Sequence, residues 1–142
     1  MKIYFAGSIK GGREKQQEYF ELIKYINQYG KVLTEHVGNV DVDVKSDILY
    51  SNKKDEHVYI RDTKWIDECD IVIAEVSIPS LGVGYELGYA ESKGKKIICL
   101  YDNNALKSLS FMISGNCKNK IISYNNLEEV KEELKKYFKN NE

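Results

Sequence analysis

Residues 71–76 read Ile-Val-Ile-Ala-Glu-Val, a short run that is almost wholly apolar and does not alternate with polar side chains. A strand of this kind is buried on both faces, which is typical of a parallel sheet covered by helices. Further runs suited to strands lie at residues 2–6, 31–34, 96–101 and 120–124. Because the connections between parallel strands are usually helical, this run strongly favours an α/β fold.

The segments between these runs have helical periodicity. They predict helices over residues 13–29, 55–69, 83–92, 106–113 and from 127 to near the C-terminus. In the first helix we expect one side to face the core, with Phe20, Ile23, Ile26 and the pair Leu22/Tyr29. The last helix has one apolar stripe, formed by Leu127, Val130, Leu134, Tyr137 and Phe138. The sequence therefore predicts one domain, residues 1–142, with a doubly wound five-stranded parallel sheet, flavodoxin-like or Rossmann-like, and helices on both faces.

Charge and cysteine content exclude several classes of protein. The chain has 21 basic and 22 acidic residues, a net charge of -1, which gives no overall field for a nucleic acid polymer or an anionic membrane. No apolar run approaches the roughly 20 residues of a membrane span. The cysteines Cys69, Cys99 and Cys117 are widely spaced and show no ligand spacing, so we expect free thiols in a cytoplasmic protein without a metal or cofactor.

Two loops contain groups that bind anions. Ligands of doubly wound sheets lie past the carboxyl ends of the strands, which points to residues 7–13, 77–84 and 102–110. The first loop, Gly-Ser-Ile-Lys-Gly-Gly-Arg, matches neither the dinucleotide nor the P-loop pattern. It nevertheless offers Ser8, Lys10, Arg13 and backbone N–H groups before a helix, and Ser80 with Gly82 forms a second donor cluster. A plain strand-to-helix turn is the alternative for each loop, but two together favour a phosphorylated ligand.

Asp62 lies on the apolar side of its predicted helix. It shares that side with Val58, Trp65, Ile66 and Cys69, at helical spacing. An ionised carboxylate there is costly unless it is paired or hydrogen-bonded. Asp62 is therefore either a structural partner of a loop or a basic residue, or a proton donor in a site.

Glu86 follows the glycines of Gly82-Val83-Gly84-Tyr85, and we expect it in the first turn of its helix. The helix dipole favours the ionised form there, which suits a nucleophile, although acids are common in first turns for the same reason. Together, Asp62 and Glu86 form the acid and nucleophile pair that glycoside cleavage needs. Tyr4, in the first strand beside Ser8, is placed to bind a sugar or to orient a carboxylate.

The order and spacing of several blocks resemble a known family. The blocks are IYFAGSIKGGRE at 3–14, VLTEHV at 32–37, Asp62 with Trp65, DIVIAEV at 70–76 and, most specifically, PSLGVGYELG at 79–88. They are similar to those of the 2'-deoxynucleoside 5'-phosphate N-hydrolases (the Rcl proteins) of the nucleoside 2-deoxyribosyltransferase superfamily. The resemblance extends from residue 2 to about 115 and more weakly through the last helix.

The resemblance implies a role for each matching position. Glu86 matches the nucleophile that attacks C1' of the deoxyribose, Asp62 the general acid and base, and Tyr4 a tyrosine near the sugar. The matches to the 5'-phosphate site are Ser8, Gly11, Ser80 and Gly82, with Arg13 in the same loop and Lys10 where better-known members have Arg. Ser110 matches a serine that the neighbouring subunit inserts into the phosphate site, which implies a homodimer. The loop at residues 38–53 departs from the family pattern, and we assign it no role.

Three alternatives remain open beside the implied activity. A deoxyribosyltransferase acting on free nucleosides has the same nucleophile, but it does not need the anion cluster of Ser8, Lys10, Ser80 and Ser110. A CMP-type ribonucleotide N-hydrolase differs only in contacts near the 2' position. A nucleotide-binding module without activity is disfavoured because it has no use for two carboxylates beside an anion.

Overall fold

The computed structural model describes residues 1–9, 15–34, 37 and 54–141. Its sheet has five parallel strands in the order β2-β1-β3-β4-β5. They are β1 (Lys2–Ala6), β2 (Lys31–Val32), β3 (Ile71–Glu75), β4 (Lys96–Asp102) and β5 (Lys120–Tyr124). The predicted α/β class is confirmed, and the strand order is that of the flavodoxin-like fold.

Five helices connect or follow the strands in the described part of the chain. They are α1 (Gln16–Ile26), α2 (Lys54–Glu68), α3 (Leu81–Ser92), α4 (Phe111–Ser114) and α5 (Leu127–Lys139). Helix α3 begins two residues earlier than predicted because the Ser80 side chain accepts a hydrogen bond from the Val83 N–H at 3.3 Å and so caps the helix at residue 80. Of the helix predicted over 106–113, only the C-terminal end forms, as the short α4, because Ser110 caps the helix and residues 106–110 are not helical.

The helices cover both faces of the sheet, as predicted. One apolar layer joins the sheet to α1 and α5, and the other joins it to α2 and α3. The stripe predicted for the last helix is confirmed, with Val130, Leu134 and Phe138 buried. The placement of Phe20 in the core was wrong, because its side chain is 50% exposed and Tyr19 is buried instead.

Neighbouring strands define where a ligand site can lie. Between β1 and β3 the chain changes direction in the sheet, because the connection from β1 leads to β2 on one side and the later strands lie on the other. In this fold ligands bind at that switch point, outside the carboxyl ends of the strands. Residues 7–9 and 76–80 leave the sheet there. Among the described residues, no helix is long and apolar enough to cross a membrane.

Candidate active site

Tyr4, Asp62 and Glu86 come from three different elements and meet on the α2/α3 face of the sheet. Tyr4 is the third residue of β1 and is 2% exposed. Asp62 lies in the middle of α2 and Glu86 in α3, both partly buried. The hydroxyl of Tyr4 donates a hydrogen bond to the Glu86 carboxylate, and the charges of Asp62 and Glu86 repel each other. The structure thus brings together the three residues for which the sequence predicted catalytic roles.

The surroundings of Glu86 favour the protonated form of its carboxyl group. Burial, together with repulsion from Asp62, raises the pKa of Glu86 to about 7. The hydrogen bond from Tyr4 and the charge of Arg61 act in the opposite direction. A carboxyl group with this pKa changes its charge near neutral pH, which is a common property of catalytic groups.

The position of Glu86 in its helix corrects the sequence-based argument. We expected Glu86 in the first turn, but α3 begins at Leu81, so Glu86 is its sixth residue and lies in the second turn. The effect of the helix dipole is strongest in the first turn and falls off beyond it. Desolvation and the neighbouring charges therefore decide the protonation of Glu86.

Asp62 has a cationic partner that the sequence analysis did not identify. The Arg61 Nε lies 2.9 Å from the Asp62 Oδ1, with both side chains less than a fifth exposed. The Arg61 guanidinium also lies over the ring of Trp65, 5.0 Å from its centroid. Arg61 therefore holds Asp62 in place and adds positive charge beside Glu86. Its position next to Asp62 on α2 was a signal in the sequence, although periodicity alone does not show that the guanidinium folds back.

The Tyr4 hydroxyl is held as a neutral donor. Burial, the charge of Glu86 and the charge of Asp62 all raise the pKa of Tyr4 above its usual range. Its side chain is 2% exposed and packed in the apolar layer between the sheet, α2 and α3, so it has little freedom to move. Tyr4 can thus orient the Glu86 carboxylate without releasing its own proton.

Of the two candidate anion loops, residues 77–84 lie wholly within the described part of the chain, whereas residues 7–13 are described only as far as residue 9. Ser8 is buried and lies just past β1, while Ser80 caps α3 past the end of β3. A Cβ added to Gly82 meets only the Ser80 Oγ, at 3.8 Å, so the backbone there is open to a ligand. Lys10, Gly11 and Arg13 lie outside the described residues, as does the loop at residues 38–53.

Ser110 is exposed, in contrast to the buried Ser8. It caps α4 and shares with Ser80 a groove of about 740 Å³ between α3 and α4. Leu81 and Met112 line this groove and are 97% and 86% exposed, and Leu106 and Phe111, which lie close to Ser110 in the sequence, are 98% and 89% exposed. A patch of this kind is typical of a surface that another molecule covers.

Sequence reasoning missed a second polar cluster, on the opposite face of the sheet. Glu75, at the end of β3, is 1% exposed and accepts hydrogen bonds from the side chains of Ser77, Tyr124 and Tyr19. A single acid in the otherwise apolar run at 71–76 was the available signal. Among the described residues, no group of three or more His, Cys, Asp or Glu side chains could hold a metal ion.

The fold and the carboxylate pair define a class of protein: a flavodoxin-like α/β protein with two acids beside the carboxyl ends of β1 and β3. Comparison with known proteins makes this more specific. The family model for nucleoside 2-deoxyribosyltransferases matches residues 3–135. The chain belongs to the nucleoside 2-deoxyribosyltransferase family.

Individual relatives cover nearly the whole chain. A 5-hydroxymethyl-dUMP N-hydrolase of Esox lucius is 41% identical over 141 residues, covering 98% of this chain and 97% of the relative. A putative 2'-deoxynucleoside 5'-phosphate N-hydrolase of Nematostella vectensis is 44% identical over 139 residues, with coverage of 96% and 93%. The solved structure of a Clostridium botulinum CMP N-glycosidase shares the fold, with a TM-score of 0.67, 24% identity and coverage of 96% and 99%.

Proposed function

We propose that this protein is an N-glycosidase that hydrolyses 2'-deoxynucleoside 5'-monophosphates to a free nucleobase and 2-deoxyribose 5-phosphate. The observation that carries the proposal is the partly buried Glu86, next to Asp62 and hydrogen-bonded by Tyr4. The names of the relatives, which are N-hydrolases of deoxynucleotides, support the same substrate class. The reaction breaks a C–N bond at an anomeric carbon, and enzymes that cleave glycosidic bonds usually use a pair of carboxyl groups.

In the first step of the proposed mechanism, the Glu86 carboxylate attacks C1' of the deoxyribose. A bond forms between a Glu86 oxygen and C1', the bond from C1' to the base nitrogen breaks, and Asp62 donates the proton that leaves with the base. With its pKa raised to about 7, part of Glu86 is ionised near neutral pH, and this form is the nucleophile. The step requires the transferred proton to lie on Asp62 when Glu86 attacks.

In the second step, Asp62 acts as a base. It takes a proton from a water molecule, whose oxygen bonds to C1' while the bond between Glu86 and C1' breaks. Two displacements at the same carbon give net retention. Tyr4 orients the Glu86 carboxylate in both steps, and Arg61 holds Asp62 at 2.9 Å. The mechanism uses no metal ion or organic cofactor.

The 5'-phosphate holds the substrate in register with Glu86 in this proposal. Ser8, Ser80 and Gly82 lie past the ends of β1 and β3, on the side of the switch point. We include Lys10, Gly11 and Arg13 in the phosphate site on the strength of the sequence. Lysine at position 10 keeps the charge of arginine but lacks its bidentate geometry.

We further propose a cytoplasmic homodimer in which each subunit donates Ser110 to the phosphate site of its partner. The exposed Leu81, Leu106, Phe111 and Met112 around Ser110 support such an interface, since burying them is favourable. Three free cysteines, of which Cys117 is exposed, fit a reducing compartment.

Base release tests the proposed function. The purified protein is incubated with dGMP, dAMP, dCMP, dTMP, 5-hydroxymethyl-dUMP, GMP, CMP and deoxyguanosine, and free base is measured by liquid chromatography. The proposal expects release from deoxynucleoside monophosphates, little from deoxyguanosine, and none with Glu86→Gln. Base exchange on free deoxynucleosides indicates a transferase instead, and preferential release from CMP indicates a ribonucleotide hydrolase. Binding of these nucleotides without any release indicates a binding module.

A further inference from the structure

Glu75 is a buried acid that the proposed mechanism does not use. It is the last residue of β3 and is 1% exposed, yet it faces the α1/α5 layer, on the opposite side of the sheet from Glu86. Burial raises the pKa of the Glu75 carboxyl, while hydrogen bonds from Ser77 and the charge of Lys15 lower it. Burying an acid is expensive unless it is hydrogen-bonded, so its surroundings need an explanation.

Three hydroxyl groups from different parts of the chain converge on this carboxylate. The Ser77 Oγ donates a short hydrogen bond to Oε1, and the Ser77 N–H donates another at 3.3 Å. The Tyr124 hydroxyl at the end of β5 donates to Oε1 at 3.1 Å, and the Tyr19 hydroxyl of α1 donates to Oε2 at 3.4 Å. We call these residues, with Lys15 and Asp102, the Glu75 network.

Each hydroxyl of the network accepts a hydrogen bond from a further group. The Tyr19 oxygen accepts from the Ser8 N–H in the loop after β1. The Ser77 Oγ accepts from the Asp102 N–H at 2.7 Å, and the Tyr124 oxygen accepts from the Lys15 Nζ at 3.2 Å. Lys15 also pairs with the Asp102 carboxylate at 2.8 Å.

All three chains of hydrogen bonds therefore run toward Glu75, which accepts at both of its oxygens. A carboxylate is the side chain that accepts at both ends; an amide has to donate at one of them. A neutral glutamine at this position forces one chain to reverse or to break. The chain through Tyr19 cannot reverse, because the backbone N–H of Ser8 has no acceptor capacity.

The hydrogen bonds from Ser8 to Tyr19 and from Tyr19 to Glu75 also fix the backbone of the loop after β1. A Cβ on Gly7 would lie 2.9 Å from the Tyr19 ring, so the ring packs directly against this glycine. Tyr19 thus supports Gly7 through its ring and Ser8 through its hydroxyl, while Ser77 stands three residues before the α3 cap, Ser80. Glu75 joins the loop after β1 to the loop after β3.

We infer that Glu75 is a positioning residue, which holds the Ser8 loop and the Ser77–Ser80 loop at the spacing that a substrate's 5'-phosphate requires. The inference rests on the proposed function, because that proposal places the phosphate between these loops. Glu75 does not touch substrate. It acts from the far face of the sheet, through Tyr19 on one loop and through Ser77 on the other.

Kinetics of Glu75→Gln test the phosphate half of the inference. We expect KM for the deoxynucleoside monophosphate to rise about tenfold, with kcat changed by less than about threefold, because ground-state binding of the phosphate is lost. Slow turnover of the matching deoxynucleoside, which has no phosphate, is expected to stay the same. Ile73→Val is the matched control for loosened packing, since Ile73 lies two residues earlier on the same face of β3 and takes no part in the network.

Amide hydrogen exchange tests the structural half without any substrate. In Glu75→Gln, amide exchange at Ser8 and at residues 76–78 and 80 is expected to speed up together, while exchange in the sheet is unchanged. Tyr19→Phe removes one chain only and is expected to loosen the Ser8 loop but not the Ser77 loop. Tyr25→Phe is its matched control: it deletes a hydroxyl from the same helix, where that group donates to the Lys131 carbonyl at 2.9 Å. If Glu75→Gln does not fold, the kinetics and the hydrogen exchange are both measured on Tyr19→Phe.

The outcomes separate this inference from the proposed function. Wild-type protein that treats the nucleotide and the deoxynucleoside alike overturns the phosphate site, and hydrogen exchange then still decides whether Glu75 holds the two loops. Phosphate-dependent wild-type activity with an unchanged KM in the folded variants overturns the positioning role alone. Equal loss of activity on both substrates also overturns it, because such a loss reflects general destabilisation.

Discussion

Replacing Glu86 with glutamine is expected to stabilise the folded protein in a way that depends on pH. The carboxyl has an ordinary pKa of 4.5 in the unfolded chain and about 7 in the folded protein, where burial and Asp62 disfavour its charge. Folding therefore takes up a proton between these pH values, and the free energy of unfolding falls as pH rises through that window. Below pH 4.5 the carboxyl is protonated in both states and the penalty is absent.

The size of the effect follows from the pKa. Each pH unit in the window reduces the free energy of unfolding by about 1.4 kcal/mol, so the full penalty above pH 7 is about 3 kcal/mol. Because Glu86 retains some exposed surface, partial hydration lowers the expected value to about 2 kcal/mol. Glu86→Gln removes the charge, so its stability relative to wild type is expected to grow by this amount between pH 5 and pH 8.

Urea unfolding at pH 5, 6, 7 and 8, at one fixed protein concentration, measures the difference. Glu132→Gln is the matched control, since it removes an exposed carboxylate from α5. A difference between Glu86→Gln and wild type that stays constant over this range refutes the reasoning, because Glu86 would then be an ordinary hydrated acid. If Glu86→Gln is more stable than wild type at high pH but has lost turnover, the charge of Glu86 lowers the stability of the fold and is needed for activity.

Two further substitutions test the surroundings of Glu86, and a third tests the packing of Tyr19 against Gly7 on the other face of the sheet. Arg61→Met removes a positive charge that lowers the pKa of Glu86, so the rise of kcat/KM with pH is expected to move to higher pH in a pH–rate profile. Arg61→Lys keeps the charge and is expected to keep most of the wild-type profile. Tyr4→Phe removes the hydrogen bond to Glu86 that lowers its pKa, so the rise of kcat/KM with pH is also expected to move to higher pH, and kcat is expected to fall about tenfold. An unchanged pH–rate profile argues against the contact between Tyr4 and Glu86. Gly7→Ala places a methyl group 2.9 Å from the Tyr19 ring and is expected to lower the free energy of unfolding by about 1–3 kcal/mol in a urea titration. A variant as stable as wild type would mean that the Tyr19 ring moves aside without cost.

The sequence predicted the fold well because hydrophobic period and chain order carry that information. The apolar run at 71–76 does form the central β3, and the alternation of elements gives the five-stranded parallel sheet. Errors occurred where local contacts decide. Ser80 and Ser110 set the start of α3 and α4 by capping, and at the start of α1 Tyr19 is buried in place of Phe20, although Ile23 and Ile26 are buried as predicted.

The sequence singled out Tyr4, Asp62 and Glu86, which the structure brings together, but it did not predict their electrostatics. Helical spacing placed Asp62 toward the sheet, and the motif around Glu86 singled out that acid. Neither signal shows that Arg61 folds back onto Asp62, or that burial raises the pKa of Glu86, since both depend on packing between α2, α3 and β1. The Glu75 network was missed because its members come from distant parts of the chain and meet only in the folded sheet.

The most direct test of the central claim is mass spectrometry of the protein quenched with acid during turnover of a deoxynucleoside monophosphate. The account predicts a fraction of wild-type protein heavier by one deoxyribosyl 5-phosphate group, with the added mass on the peptide that contains Glu86, and no adduct on Glu86→Gln. Asp62→Asn is expected to form adduct slowly and to retain it for longer. Undiminished release of base by Glu86→Gln, or an adduct mapped to any other residue, would contradict the assignment of Glu86 as the nucleophile.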